Sequence, residues 1–233
     1  MIRPISKQLT TIAKSFTVVA LLASAASAAT SWTTPAGSST TTTYSAGQTA
    51  NGRFTADSPF VADDKFVFFP SNFQANTEGS AIVSDTLSFI LNAKPGRTLS
   101  SISTGLNGDW SLLGGGSVDA TGTLKVTNLS TLAVFSQNLS FTPSMPQSAE
   151  EGTFFGSTLI NLPAGWTNAK VELTSTLSVP AGSPNAPNFA GLIELKEGEI
   201  TIQTAAVPLP GAVVVAPLGF AMAWVARRRM ARR

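Results

Sequence analysis

Val118-Asp119-Ala120-Thr121-Gly122-Thr123-Leu124-Lys125-Val126-Thr127 is the stretch from which the fold can be read. Val118, Ala120, Leu124 and Val126 share one parity, while Asp119, Thr121, Thr123, Lys125 and Thr127 share the other. Successive side chains of a strand point to opposite faces, so the alternation describes a strand with one face in a core and one in water. Val171, Leu173, Leu177 and Val179 repeat it against Glu172, Thr174, Thr176 and Ser178. One-sided strands of this kind belong to antiparallel sheets.

Working outward, the neighbouring segments read as further short strands: Arg53 to Ala56, Lys65 to Phe69, Ala81 to Leu91, Thr98 to Thr104, Asp109 to Leu113, Leu132 to Phe141 and Thr153 to Leu162. A last pair is expected at Leu192 to Leu195 and Glu199 to Gln203. Turn signals separate them, among them Pro95-Gly96, Asn107-Gly108 and Lys196-Glu197-Gly198. Asn107-Gly108 suits a two-residue hairpin because both residues accept positive φ. Thr40 to Tyr44 is an edge strand or a loose start, and Ser148 to Glu151 has the spacing of a capping box. Regularly spaced short strands predict an all-β antiparallel β-sandwich of jelly-roll or Greek-key type over 29–206.

Composition sets limits on chemistry. The chain has no cysteine and no histidine, which excludes disulfides, thiol catalysis and any mechanism through an imidazole base. Its basic balance is misleading. Arg3, Lys7, Lys14 and five terminal arginines sit at the two ends, so the body holds seven basic residues against all thirteen acidic ones, a net charge of about −6. A body of that sign has no electrostatic footprint for nucleic acid.

The ends read as addresses. Residues 1–28 show the three parts of a secretory signal peptide: a basic start, an apolar run from Phe16 to Leu22 expected to be helical, and small residues at Ala26 and Ala28 for the peptidase. Export machinery of Sec type and signal peptidase are the implied partners. At the other end, 207–233 opens on Val207-Pro208-Leu209-Pro210-Gly211-Ala212 and continues as an uncharged apolar run to Ala226. That is long enough for one transmembrane helix over about 209–226. Arg227, Arg228, Arg229, Arg232 and Arg233 then stop transfer and stay on the cytoplasmic side. Pro208 and Pro210 keep the strip before the span extended.

This tail resembles the PEP-CTERM sorting signal of Gram-negative bacteria. In the commonest form Glu separates the two prolines; Leu209 matches the VPLPA variant, and Gly211 stands where that variant has Ala. The resemblance is confined to 207–233. It implies that an exosortase-type enzyme in the membrane recognises the tail, that the protein reaches the cell surface or is released, and that it associates with exopolysaccharide or biofilm.

Candidate sites in the body are sparse. Asp57, Asp63 and Asp64 lie in one loop and could offer oxygens to Ca²⁺, although Asp and Pro in a loop more often serve the turn itself. Glu150-Glu151 is an adjacent carboxylate pair, and Trp32, Trp110, Trp166, Phe73 and Phe189 could stack on sugar rings if exposed. Asn128-Leu129-Ser130 and Asn138-Leu139-Ser140 match the glycosylation pattern, which is short and common in a Ser-rich chain. The reading that follows is a non-enzymatic, exported surface or matrix protein without a cofactor. A carbohydrate-binding module and a carboxylate-dependent glycan hydrolase stay open as alternatives. N-terminal sequencing of the exported protein should return Ala29 or Thr30 as the first residue; retention of Met1 would rule out a cleaved signal.

Overall fold

The structure, a computed structural model, describes residues 28–54, 57–113, 117–141, 151–179 and 190–207. The signal segment before Ala28, the tail beyond Val207 and residues 148–150 of the capping box lie outside the described residues. So do Ala26, Phe189, Glu150, the span at 209–226 and the arginine cluster.

Every element of the described chain is a strand. They are β1 (Thr30–Ser31), β2 (Gly37–Ser38), β3 (Thr42–Thr49), β4 (Phe60–Ala62), β5 (Lys65–Phe68), β6 (Gln74–Asn76) and β7 (Ile82–Ala93). They continue as β8 (Arg97–Leu113), β9 (Asp119–Asn128), β10 (Val134–Phe141), β11 (Glu151–Asn161), β12 (Asn168–Ser178) and β13 (Ala190–Ala206). One sheet runs β1-β3-β7-β12-β9-β10 with β2 also on β3, and the other runs β11-β8-β13-β5-β4 with β6 also on β13. All pairings are antiparallel. The chain changes sheet from β3 to β4, from β6 to β7, from β7 to β8, from β8 to β9, and at each of the three connections from β10 to β13.

The inner faces meet in one hydrophobic core. Phe66 of β5 stacks on Phe89 of β7 with ring centroids 5.1 Å apart and meets Tyr44 of β3 edge-on at 5.2 Å. Trp32 joins the same cluster against Tyr44, Phe68 and Phe89. The alternation in β9 and β12 is realised as read: Ala120, Leu124, Val126, Val171, Leu173 and Leu177 are buried. Their polar partners face outward, where Glu172 pairs with Lys125 at 2.9 Å and Lys170 at 2.8 Å.

Two expected turns are absent. Asn107-Gly108 lies inside β8, which runs unbroken from Arg97 to Leu113 where two strands were expected. Gly108 serves close packing: a Cβ there would stand 2.1 Å from the Glu194 carbonyl oxygen and 2.4 Å from the Phe154 ring. Lys196-Glu197-Gly198 is likewise no turn, because β13 is one strand from Ala190 to Ala206 with a register shift between Leu195 and Glu197. The extra residue of a β-bulge bends the strand without ending it. Thr40 to Tyr44 also differs from an edge strand, since β3 lies between β7 and the short β1 and β2. Arg53 and Phe54 form a bend and not a strand.

Two carboxylates fix loops. Asp85 is buried in β7 and accepts the backbone N–H groups of Asn51 at 2.7 Å, Arg53 at 2.7 Å and Phe54 at 3.0 Å. Asp63 and Asp64 form the two-residue turn between β4 and β5, with φ of 47° and 63°, the geometry that a type I′ hairpin requires. Asp64 also accepts the Thr41 backbone N–H and hydroxyl, both at 2.8 Å, and the Ser39 hydroxyl.

Asp85→Ala should therefore cost about 3 kcal/mol in urea unfolding, because it orphans three backbone donors at once. Burial raises the Asp64 carboxyl, but the Ser39 and Thr41 hydrogen bonds and the Lys94 charge outweigh it, so its pKa is lowered. A lowered folded pKa contributes stability above the ordinary carboxylate range that disappears as pH falls through the folded value. Acid titration of Asp64→Asn should accordingly show a shallower loss of stability below pH ~4 than the parent chain.

Candidate functional site

The outer face of the sheet β11-β8-β13 carries the described chain's acidic groove. Inward parity on β8 belongs to Ile102, Leu106, Trp110 and Leu112, so Asn107, Asp109 and Ser111 point out. On β13 the same logic exposes Leu192, Glu194, Glu197 and Glu199, and on β11 Glu151, Thr153 and Phe155. Register aligns them in rows: Glu151, Ser111 and Leu192 in one, and Thr153, Asp109 and Glu194 in the next.

Two adjoining depressions of about 480 and 440 Å³ occupy this face, and the row Glu151, Ser111 and Leu192 lines both. Asn76, Thr77 and Glu78 wall the first, while Asp109, Trp110, Thr153, Glu194 and Lys196 line the second. With neighbouring strands about 4.8 Å apart, the floor from β11 to β13 is about 10 Å wide. Lys196, displaced outward by the bulge, reaches Glu194 at 2.5 Å. That hydrogen bond raises the Lys196 pKa; desolvation opposes it, and the Glu194 and Asp109 charges add to it. Glu151 has no hydrogen-bond or ion-pair partner among the described residues.

Trp110 packs beneath this floor, on the inner face between β8 and β11. A Cβ on its cross-strand partner Gly152 would stand 2.4 Å from the ring and 2.9 Å from Nε1. The side chain is only 7% exposed, and its Nε1–H, like that of Trp32, has no acceptor among the described residues. An indole N–H is donor only, so a buried one without a partner carries a desolvation cost.

Several predicted sites are rearranged. Trp32, Trp110, Trp166 and Phe73 are core residues, so none offers a ring face to solvent as expected of a stacking platform. Among the described residues the exposed rings are Phe60, Phe69, Phe135 and Phe155, the last 67% exposed and lying across Gly105. Asp57, Asp63 and Asp64 do not converge: no group of three carboxylates among the described residues could hold a metal ion. Asn128 is buried and its Oδ1 accepts the Ser130 and Thr131 backbone N–H groups, whereas Asn138 is exposed and accepts from Thr123. Of the carboxylate pair, Glu151 opens β11 and enters the groove. Asp109, Ser111, Leu192, Glu194 and Lys196 were missed as a group because both strands bearing them were divided at turns that do not form; outward parity along an uninterrupted strand was the signal.

No protein-family model matches the chain, and no curated protein matches it in sequence. Among solved structures it is similar to TmCBM61 in complex with β-1,4-galactotriose, at 14% identity and a TM-score of 0.27, covering 61% of this chain and 88% of that one. A family 12 xyloglucanase from Bacillus licheniformis is similar at 10% identity and a TM-score of 0.23, over 62% of this chain and 95% of that one. The VP2 subviral particle of infectious bursal disease virus gives 10% and 0.21, over 72% and 50%. TM-scores this low carry no argument about what this chain does.

Gly152→Ala should lower stability by about 1–3 kcal/mol, since a methyl group displaces the Trp110 ring from its packed position. Urea unfolding and a shift in tryptophan emission would register it together; an unchanged spectrum would show that the ring is not held there.

Proposed function

We propose that the chain is an exported, non-enzymatic protein of the cell surface or extracellular matrix whose body holds a polysaccharide along the groove on β11, β8 and β13. The observation that carries this reading is the groove's lining. Carboxylates, the Ser111 and Thr153 hydroxyls and the Asn76 amide alternate there with apolar Leu192 on a long open floor. Few ligands offer hydroxyls, ring oxygens and C–H faces in a row as a glycan chain does, and a groove of convergent polar groups on an apolar floor suits one.

A non-catalytic role is supported by the carboxylate arrangement. Of the cross-strand neighbours Asp109 and Glu194, Glu194 is held by the Lys196 ammonium at 2.5 Å, so that carboxylate is not free to serve as the acid or nucleophile that glycosidic cleavage needs.

Delivery is assigned to the tail. Val207 follows directly on β13, its N–H donates to the Gly96 carbonyl at 2.9 Å, and its side chain is exposed. The Val-Pro-Leu-Pro strip thus begins one residue after a strand paired deep in a sheet, with no linker in the sequence between body and motif. In this reading the exosortase-type enzyme takes Val207, Pro208, Leu209, Pro210 and Gly211 as substrate while the arginines hold the span in place.

Two measurements test the halves separately. The mature protein should be lighter by the mass of its tail in cells that possess the sorting enzyme and retain the tail in cells that lack it; equal masses overturn the sorting assignment. In affinity electrophoresis against extracted matrix polysaccharide, the parent chain should be retarded and Asp109→Asn with Glu194→Gln should not; equal mobility in the presence and absence of polysaccharide overturns the binding assignment.

A further inference from the structure

We infer that the end of the sandwich from which the tail leaves is a membrane-contact surface, seated in the phospholipid headgroups of the leaflet that the tail enters; this rests on the membrane span read in 207–233 and adds a partner for the body itself. The tether leaves no slack. β13 stays paired to its last residue, Ala206 opposite Arg97, and the Val207 N–H is still bonded to the Gly96 carbonyl at 2.9 Å. From Val207 to the start of the span at Leu209 is two residues, which extend to about 7 Å at most. The headgroup layer on each side of the hydrocarbon is about 5–7 Å deep. A sandwich held that closely cannot stand clear of the leaflet.

Antiparallel register shows what shares this end. Asn92 near the end of β7 lies opposite Asn168 at the start of β12, and Ala169 lies opposite Asn128 at the end of β9. Hydrogen bonds join the loops there: the Ala93 N–H donates to the Thr167 carbonyl at 2.8 Å, and the Ser130 hydroxyl to Asn168 Oδ1 at 3.0 Å. The loop between β9 and β10 therefore lies at the same end as Val207.

That loop is shaped to display apolar groups. The buried Asn128 side chain accepts the Ser130 and Thr131 N–H groups, and the Asn128 carbonyl accepts the Leu132 N–H at 2.9 Å. So held, Leu132 has a φ of 61° and is 73% exposed, with Leu129 and Val134 exposed in the same hairpin. Left-handed backbone suits Gly or Asn, and water favours neither leucine, so the loop serves contact with an apolar medium outside the fold.

Charge favours the same end. The Asp64 carboxylate binds Thr41, whose carbonyl accepts the Lys94 N–H, so Asp63 and Asp64 gather here with Lys94 and Arg97 in balance. The opposite end carries Glu78, Asp119 and Glu151. In a body of net charge about −6, anionic headgroups repel the balanced end least.

The chain has no cysteine, so a single one introduced by Leu132→Cys or, at the opposite end, by Glu78→Cys takes a polarity-sensitive dye at that position alone. The full chain is reconstituted into vesicles of phosphatidylethanolamine and phosphatidylglycerol in equal parts, with and without lipid spin-labelled near the headgroup. The dye at position 132 should emit to the blue of the dye at position 78 and lose its emission to the spin label, while the dye at position 78 keeps its own. Ala133→Cys gives the same reading where Leu132→Cys does not fold. If neither dye is quenched in vesicles with which the chain floats, the contact is overturned and the membrane span stands. Equal quenching of both dyes overturns the end-on seat. A blue shift at position 132 without quenching assigns the loop to a protein surface and overturns the membrane as its partner. A chain that does not float with the vesicles overturns the span, and this contact with it.

Discussion

Phe66 lies between the two sheets, stacked on Phe89 and edge-on to Tyr44, and the fold depends on that contact because nothing covalent replaces it. A chain without cysteine must hold two sheets together by side-chain packing alone. Aromatic pairs contribute about 0.5–1.5 kcal/mol each beyond the area they bury, and here Trp32, Phe68 and the Phe54–Phe73 pair extend the set. That demand draws the large rings inward. It explains why three tryptophans and Phe73, each a conceivable sugar platform, are core residues instead.

Once the inner faces are committed, the outer faces are whatever the opposite parity supplies. On the sheet of β7, β12 and β9 this is a field of threonines and serines, bonded across strands as in Thr86 to Thr174 at 2.9 Å, with Glu172 held between two lysines. On β11, β8 and β13 it is a run of carboxylates with few cations. The difference lies in the strands themselves, since β13 contributes Glu194, Glu197 and Glu199 within six residues. The bulge before Glu197 lets them share a face and throws Lys196 outward. An irregularity in one strand thereby sets the electrostatics of the groove.

Polar groups inside the fold are settled differently. Asp85 is buried yet fully used, its two oxygens accepting loop N–H groups that would otherwise have no partner. Asp64 does similar work at a turn, which is why a loop acid that reads as a cation ligand is a structural acceptor here. The indole N–H groups of Trp32 and Trp110 are the counter-examples: both are buried, and neither has an acceptor among the described residues.

Alternation alone determined the all-β class, the one-sided strands β9 and β12 and the buried set they carry, because a period of two is a local property of the backbone. The addresses proposed for the two ends rest on the same local character, since they need only length, apolarity and charge in order. Local signals misled at Asn107-Gly108 and at Lys196-Gly198, where glycines that suit a turn are needed for close approach under Phe154 and Leu106. No neighbour in sequence announces that need; it arises from residues 46 and 92 positions away. Strand order, the bulge and the gathering of Glu151, Asp109, Glu194 and Trp110 around one depression were decided only in three dimensions. Pairing between distant strands chooses which outward residues become neighbours, and that choice belongs to the packed core as a whole.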